Sequence, residues 1–114
     1  MKKILIVEDE KQYRDILSKK LSSEELEVFT AEDGEKALEI ISSQQIDLIL
    51  LDLIMPKMDG IEFVHRLRSQ RRNIPIIILS NLTQSAYQSD IKDYLVKANT
   101  SLEEVVVKVK SNLE

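Results

Sequence analysis

Cysteine is absent from this 114-residue chain, and so is tryptophan. Without thiols there are no disulfides, no thiol catalysis and no thiolate metal sites. A single histidine, His65, excludes a histidine-rich zinc site. Glycine is nearly as scarce. With only Gly34 and Gly60, neither a dinucleotide-binding G-x-G-x-x-G nor a P-loop can be built. Long apolar runs are also missing. The opening MKKILIVEDE holds one short apolar stretch, Ile4–Val7, which is too short for a secretory signal. No segment approaches membrane-spanning length. Nor is there an excess of positive charge. Sixteen Lys and Arg stand against 20 Asp and Glu, a net charge of −4, which disfavours non-specific binding to nucleic acid or anionic membrane. These absences lead us to expect a cytoplasmic protein with no direct nucleic-acid or membrane partner.

What is present is an ordinary globular composition, 43% hydrophobic and 32% charged, in a chain of single-domain length (1–114). Four short apolar runs stand out: Ile4–Val7, Ile46–Leu51, Ile76–Leu79 and Tyr94–Val96. They are continuous rather than alternating, the pattern of strands buried on both faces of a parallel sheet. Leu26 and Val28 instead alternate with Glu25 and Glu27, which predicts an edge strand. Helical patterns lie between the runs. Tyr13, Leu17 and Leu21 are spaced i, i+4, i+8, and Ala37, Leu38 and Ile41 form a stripe after Asp33-Gly34. Asp59 with Glu62, and Ser101 with Glu104, read as capped helix starts. Phe63, Val64 and Leu67 follow the first; Val105, Val106, Val109 and Leu113 follow the second. The order βαβαβαβαβα predicts an α/β fold, a doubly wound five-stranded parallel sheet with helices on both sides.

In such a sheet ligands bind beyond the carboxyl ends of the strands. There the sequence places Glu8, Asp9 and Glu10 after the first strand, Asp52 after the third, Ser80 after the fourth and Lys97 after the fifth. Clustered carboxylates repel one another unless a cation joins them. Oxygen-only ligands select a hard ion, and Mg²⁺ takes one or two carboxylates and completes its shell with water and phosphate oxygens. An aspartate can accept a phosphoryl group. A metal and a lysine then neutralise the phosphoryl oxygens, and Ser80 can donate to them. Read singly, Glu8–Glu10 could be a charged helix-capping loop, Lys97 a surface lysine, Ser80 a turn serine and Tyr94 a half-buried core ring. His65 reads as exposed. Arg66, Arg68, Arg71 and Arg72 read as cations at a helix C-terminus, where they offset its dipole.

Taken together and in order, VEDE (7–10), DLIMPKMDG (52–60), Ser80 and DYLVK (93–97) resemble the response-regulator receiver domain of two-component signalling. The resemblance implies a flavodoxin-like strand order, 2-1-3-4-5. It implies Asp52 as the phosphoacceptor, with Glu8, Asp9, Asp52 and the main-chain carbonyl of Ile54 holding Mg²⁺, or alternatively Mn²⁺. It implies Ser80 as switch hydroxyl, Lys97 as phosphate-binding lysine and Tyr94 as switch aromatic. Its partners would be a sensor histidine kinase or phosphotransfer protein and a downstream output protein or domain. It implies a signalling domain, not an enzyme. An aspartate-nucleophile phosphatase of the haloacid dehalogenase type is the enzyme alternative, but it needs a second acid two residues after the nucleophile, where Ile54 stands. A receiver-like interaction module independent of phosphorylation is the other; it would be expected to lack the acids or the lysine.

The sequence departs from the family in two places. Proline usually follows the lysine, with a cis peptide; here Ala98 follows, and a cis Lys–Ala bond would cost about 2.5–4 kcal/mol, so trans is expected. The stretch from Ser80 to Lys97 is also shorter than usual in the family, which predicts a shortened fourth helix within Asn81–Lys92. Its only apolar anchors are Leu82, Ala86, Tyr87 and Ile91. No output domain is legible in these 114 residues.

Overall fold

The computed structural model describes residues 1–55, 57–70, 73–81 and 93–113. Five strands form one parallel sheet in the order β2-β1-β3-β4-β5. They are β1 (Lys3–Val7), β2 (Glu27–Ala31), β3 (Leu48–Leu51), β4 (Ile76–Ser80) and β5 (Asp93–Val96). The α-helices among the described residues are α1 (Lys11–Ser22), α2 (Gly34–Ser43), α3 (Gly60–Ser69) and α4 (Leu102–Leu113). The shortened helix expected within Asn81–Lys92 lies, apart from Asn81, outside the described residues.

The continuous apolar runs divide their side chains between two cores, as the two-residue period of a strand requires. Leu5, Val7, Ile49, Leu51, Ile76 and Ile78 face one side, where Ala37 and Ile41 of α2 and Phe63, Val64 and Leu67 of α3 cover them. Ile4, Ile6, Leu48, Leu50, Ile77 and Leu79 face the other, against Leu17 and Leu21 of α1 and Val105, Val106 and Val109 of α4. Each helix thus buries the stripe predicted for it.

The caps follow the sequence signals. The Asp59 carboxylate accepts the Glu62 N–H at 2.8 Å. At α4 the exchange is reciprocal. Ser101 Oγ accepts the Glu104 N–H at 3.2 Å, and Glu104 Oε1 accepts the Ser101 N–H at 3.1 Å. Glu10 occupies the N-cap of α1 but makes no side-chain cap bond, so the acidic run does not cap that helix.

Two strand boundaries differ from expectation. β2 begins at Glu27, because Glu25 takes a left-handed conformation (φ 63°) in the turn leaving α1. β3 begins at Leu48 rather than Ile46. The Asp47 N–H donates to the Lys3 carbonyl at 2.8 Å while its carboxylate takes the Lys3 N–H at 2.7 Å, so a side chain serves where a regular ladder would use main chain alone. The Lys97–Ala98 peptide is trans, as expected. No helix among the described residues is long and apolar enough to cross a membrane.

Candidate phosphoryl-acceptor site

Register builds the site. Val7 of β1 pairs with Leu51 of β3, so Glu8 and Asp52, the next residues, emerge side by side. The Asp52 N–H donates to the Val7 carbonyl at 3.0 Å, and the Glu8 N–H donates to the Ala31 carbonyl at 3.0 Å. Leu51 pairs with Ile78, and Ser80 with Val96, so the ends of β4 and β5 stand on the same edge. The backbone ladder therefore fixes the spacing of the acids before any side chain contributes.

Glu8, Asp9 and Asp52 each offer a carboxylate oxygen, and these lie within 4.8 Å of one another. Glu8 and Asp52 are buried, while Asp9 is exposed. With Glu10, Ile54, Asn81 and Lys97 they line a hollow of about 400 Å³. A larger hollow, about 490 Å³, opens at the opposite sheet edge around Met1, Lys2, Lys3, Gln45 and Asp47, but it gathers no acid cluster.

Lys97 joins the acids from the far strand. Its ammonium lies 2.6 Å from Glu8 Oε1 and 3.4 Å from Asp52 Oδ2. Burial pushes the Glu8 carboxyl up to about 7, helped by the charge of Asp52; the Lys97 and Glu10 N–H bonds only partly offset this. Burial works against the charge of Lys97, but its bond to Glu8 and the charges of Asp52 and Glu8 outweigh it and raise its pKa. Two buried acids thus share one cation, an arrangement in which a second, hard cation would relieve the remaining charge.

Glu8, Asp9, Asp52 and Lys97 meet, and Ile54 stands at the rim with its side chain 54% exposed. The Ile54 N–H donates to Asp52 Oδ1 at 3.2 Å, which orients the carboxylate. Ser80 is wholly buried at the end of β4 and lies outside the lining of the hollow. Tyr94, opposite Ile78, packs half-buried against the core; burial and the Asp52 charge raise its pKa. His65 is exposed. Arg66 pairs with Glu62 and Arg68 donates to the Ile74 carbonyl, as expected of cations closing a helix. Arg71 and Arg72 lie outside the described residues.

Three residues at the site were not singled out for it from sequence. Tyr13, expected only as the first residue of the α1 apolar stripe, has the Lys97 ammonium 4.6 Å from its ring centroid. Arg14 donates to the Glu8 carbonyl at 2.9 Å and pins the acidic turn. Asn81 reaches from the end of β4 to the backbone beside Lys97. The available signals were positional: Tyr13 and Arg14 open the helix after the acids, and Asn81 directly follows Ser80.

An open parallel sheet with three acids and a lysine at its carboxyl edge fits the response-regulator receiver family. The chain belongs to it: residues 4–110 match the family model of the response regulator receiver domain. Among curated proteins it is 43% identical over 79 residues to the alkaline phosphatase synthesis transcriptional regulatory protein PhoP of Bacillus subtilis, covering 69% of this chain and 33% of PhoP. It is 33% identical to the response regulator MprA of Mycolicibacterium vanbaalenii, covering 97% of this chain and 50% of MprA. The chain thus spans half or less of the length of these relatives. Among solved structures it resembles the Francisella response regulator 1452 receiver domain, with a TM-score of 0.92 and 31% identity over 99% of this chain and 97% of that one. It also resembles the response regulator TrrA of Thermotoga maritima, solved in complex with Mg²⁺-BeF, with a TM-score of 0.86 and 37% identity over 99% and 100% of the two chains.

Proposed function

We propose that this receiver domain accepts a phosphoryl group onto Asp52 from a sensor histidine kinase or phosphotransfer protein. It does so in a Mg²⁺-dependent reaction, and the resulting aspartyl phosphate switches an output partner. The observation that carries this reading is that the carboxylates of Glu8, Asp9 and Asp52 gather at one edge, with the Lys97 ammonium bridging Glu8 and Asp52. The solved complex of TrrA with Mg²⁺-BeF supports the choice of ion.

The donor set suits a hard divalent cation, since it offers carboxylates and no imidazole or thiolate. Glu8, Asp9 and Asp52 would hold it, with the main-chain carbonyl of Ile54 as a further ligand and Mn²⁺ as an alternative ion. When bound, the ion supplies charge neutralisation for the acids and for the phosphoryl oxygens. The rest falls to the chain. An Asp52 oxygen attacks phosphorus, the new O–P bond forms, and the bond to the donor nitrogen breaks with its electron pair leaving on the imidazole. The Ile54 N–H holds the other Asp52 oxygen, so one oxygen is aimed and the other is occupied. Lys97, now 2.6 Å from Glu8, shifts its ammonium to the phosphoryl oxygens. Ser80, buried at the end of β4, would turn its hydroxyl to the same group, with Tyr94 as the switch aromatic.

Ile54 can neither protonate a leaving group nor activate water. The phosphoryl group is therefore held rather than turned over, and the domain acts as a switch and not as an enzyme. The relatives named as transcriptional regulators are longer than this chain, which supports an output function carried outside the receiver fold. The test is labelling by a small-molecule phosphodonor across a Mg²⁺ titration. Labelling should rise with Mg²⁺ or Mn²⁺ and vanish in excess chelator; full labelling in chelator would contradict the reading.

A further inference from the structure

Lys97 is the first residue beyond the sheet ladder. The last pair in the register at that edge is Ser80 with Val96, so Lys97 stands one residue past the paired strand, its carbonyl accepting the Thr100 N–H at 3.5 Å. A lysine ammonium sits at the end of a four-carbon stem with several rotatable bonds, and its aim depends on where its backbone is held. Here the backbone enters a 3₁₀ turn, Lys97–Asn99. One side of that turn is closed by Thr100, whose hydroxyl donates to the Val96 carbonyl at 2.8 Å. The other side is closed from a different strand: Asn81 Oδ1 accepts the Ala98 N–H at 2.9 Å. That N–H exists because residue 98 is alanine; a proline there would have none to give.

We infer that Asn81 is a positioning residue for Lys97: its carboxamide ties the lysine-bearing turn to the end of β4 and so aims the ammonium at Asp52. Three observations converge on this assignment. Asn81 lines the same hollow as Asp52 and Lys97. It follows Ser80 directly, so the tether spans the tips of the two strands that carry Ser80 and Lys97. At the other end of the lysine side chain the ammonium is already fixed by Glu8 at 2.6 Å and by the Tyr13 ring at 4.6 Å. Asn81 adds to Thr100 a second constraint at the backbone end, from a different strand. The inference rests on the proposed phosphoryl transfer, and its experiment separates the two.

Two measurements test it. The first is the amide exchange rate of Ala98, read by NMR in wild type, Asn81→Ala and Asn81→Asp. Exchange should quicken in Asn81→Ala and slow again in Asn81→Asp, which keeps the accepting oxygen. Equal Ala98 rates in all three would overturn the tether. The second is the labelling rate with a small phosphodonor and Mg²⁺ in wild type, Asn81→Ala, Lys97→Ala and the double variant. Asn81→Ala should label roughly fivefold more slowly, the scale of one lost neutral hydrogen bond. In the Lys97→Ala background the same change should have no further effect, because its action passes through the lysine. An equal further loss in that background would mean that Asn81 acts on the phosphoryl group directly, and would overturn the inference. A wild type that labels alongside an unaffected Asn81→Ala would overturn it too. A wild type that does not label would instead refute the phosphoryl-acceptor reading, whatever the Ala98 amide shows.

Discussion

Replacing Gly60 by alanine should damage the acceptor site far more than the same change at Gly34. Both glycines are the first residue of a helix. A Cβ at Gly60 would stand 2.6 Å from Leu53 Cα, 2.8 Å from the Asp52 carbonyl oxygen and 2.9 Å from Leu53 Cδ2. Two of these three neighbours are main chain, so no rotamer change relieves them. Opening such contacts to the normal separation of about 3.5–4.0 Å requires a backbone shift of about 1 Å. Overpacking of this kind costs about 1–3 kcal/mol, and the better helix propensity of alanine returns at most ~1 kcal/mol. A net cost of about 1–2 kcal/mol, at about 4–8 °C per kcal/mol, lowers the melting temperature by roughly 4–16 °C. The shift falls on Asp52 itself, and a misplacement of about 1 Å at a reacting group can cost on the order of 100-fold in rate. At Gly34 the three nearest atoms a Cβ would meet all belong to the Met58 side chain, with Sδ at 2.9 Å and Cβ and Cγ at 3.2 Å. A methionine is flexible and gives way. Gly34→Ala should melt within a few degrees of wild type and label at nearly its rate. Thermal melts and phosphodonor labelling of both variants are the assay. A Gly60→Ala protein that melts and labels like wild type would refute the reasoning, as would equal damage from both changes.

Without metal, Glu8 should make stability depend on pH. Burial pushes its folded pKa up to about 7, above the ordinary 4.5 of a glutamate, so the folded state holds the proton more tightly. The stability this provides is present below about 4.5 and is lost as pH rises toward 7. In chelator, the stability of wild type relative to Glu8→Gln should therefore fall between pH 5 and pH 8; a rise across that window in chemical denaturation would be the contrary result. Ile54 offers no group to orient water at the rim of the hollow. Ile54→Asn or Ile54→Glu should shorten the lifetime of the aspartyl phosphate, and a decay rate that does not respond would show that this side chain has no part in shielding it.

The fold was legible because its strands carry their partition in the sequence. Ile4 and Ile6 face one core and Leu5 and Val7 the other, so a continuous run announces a strand covered on both sides. The caps at Asp59 and Ser101 were legible for a local reason, since each bonds within its own first turn. The start of β2 was not, because the turn before it uses Glu25 at φ 63° where a glycine or asparagine would have marked it. Asp47 was misread because its bond partner, Lys3, is 44 positions away. The same division holds at the site. Glu8, Asp52 and Lys97 could be placed together because parallel strands bring their carboxyl ends to one edge. Tyr13 and Asn81 could not, since their contacts depend on how far α1 and the β4 tip stand from the Lys97 turn. No periodicity encodes that distance.

The central claim is that Asp52 is the residue that takes the phosphoryl group. Intact mass spectrometry after incubation with acetyl phosphate and Mg²⁺ tests it most directly, with Asp52→Asn alongside. Wild type should gain the mass of one phosphoryl group and Asp52→Asn should gain none. Equal labelling of the two proteins would contradict the account.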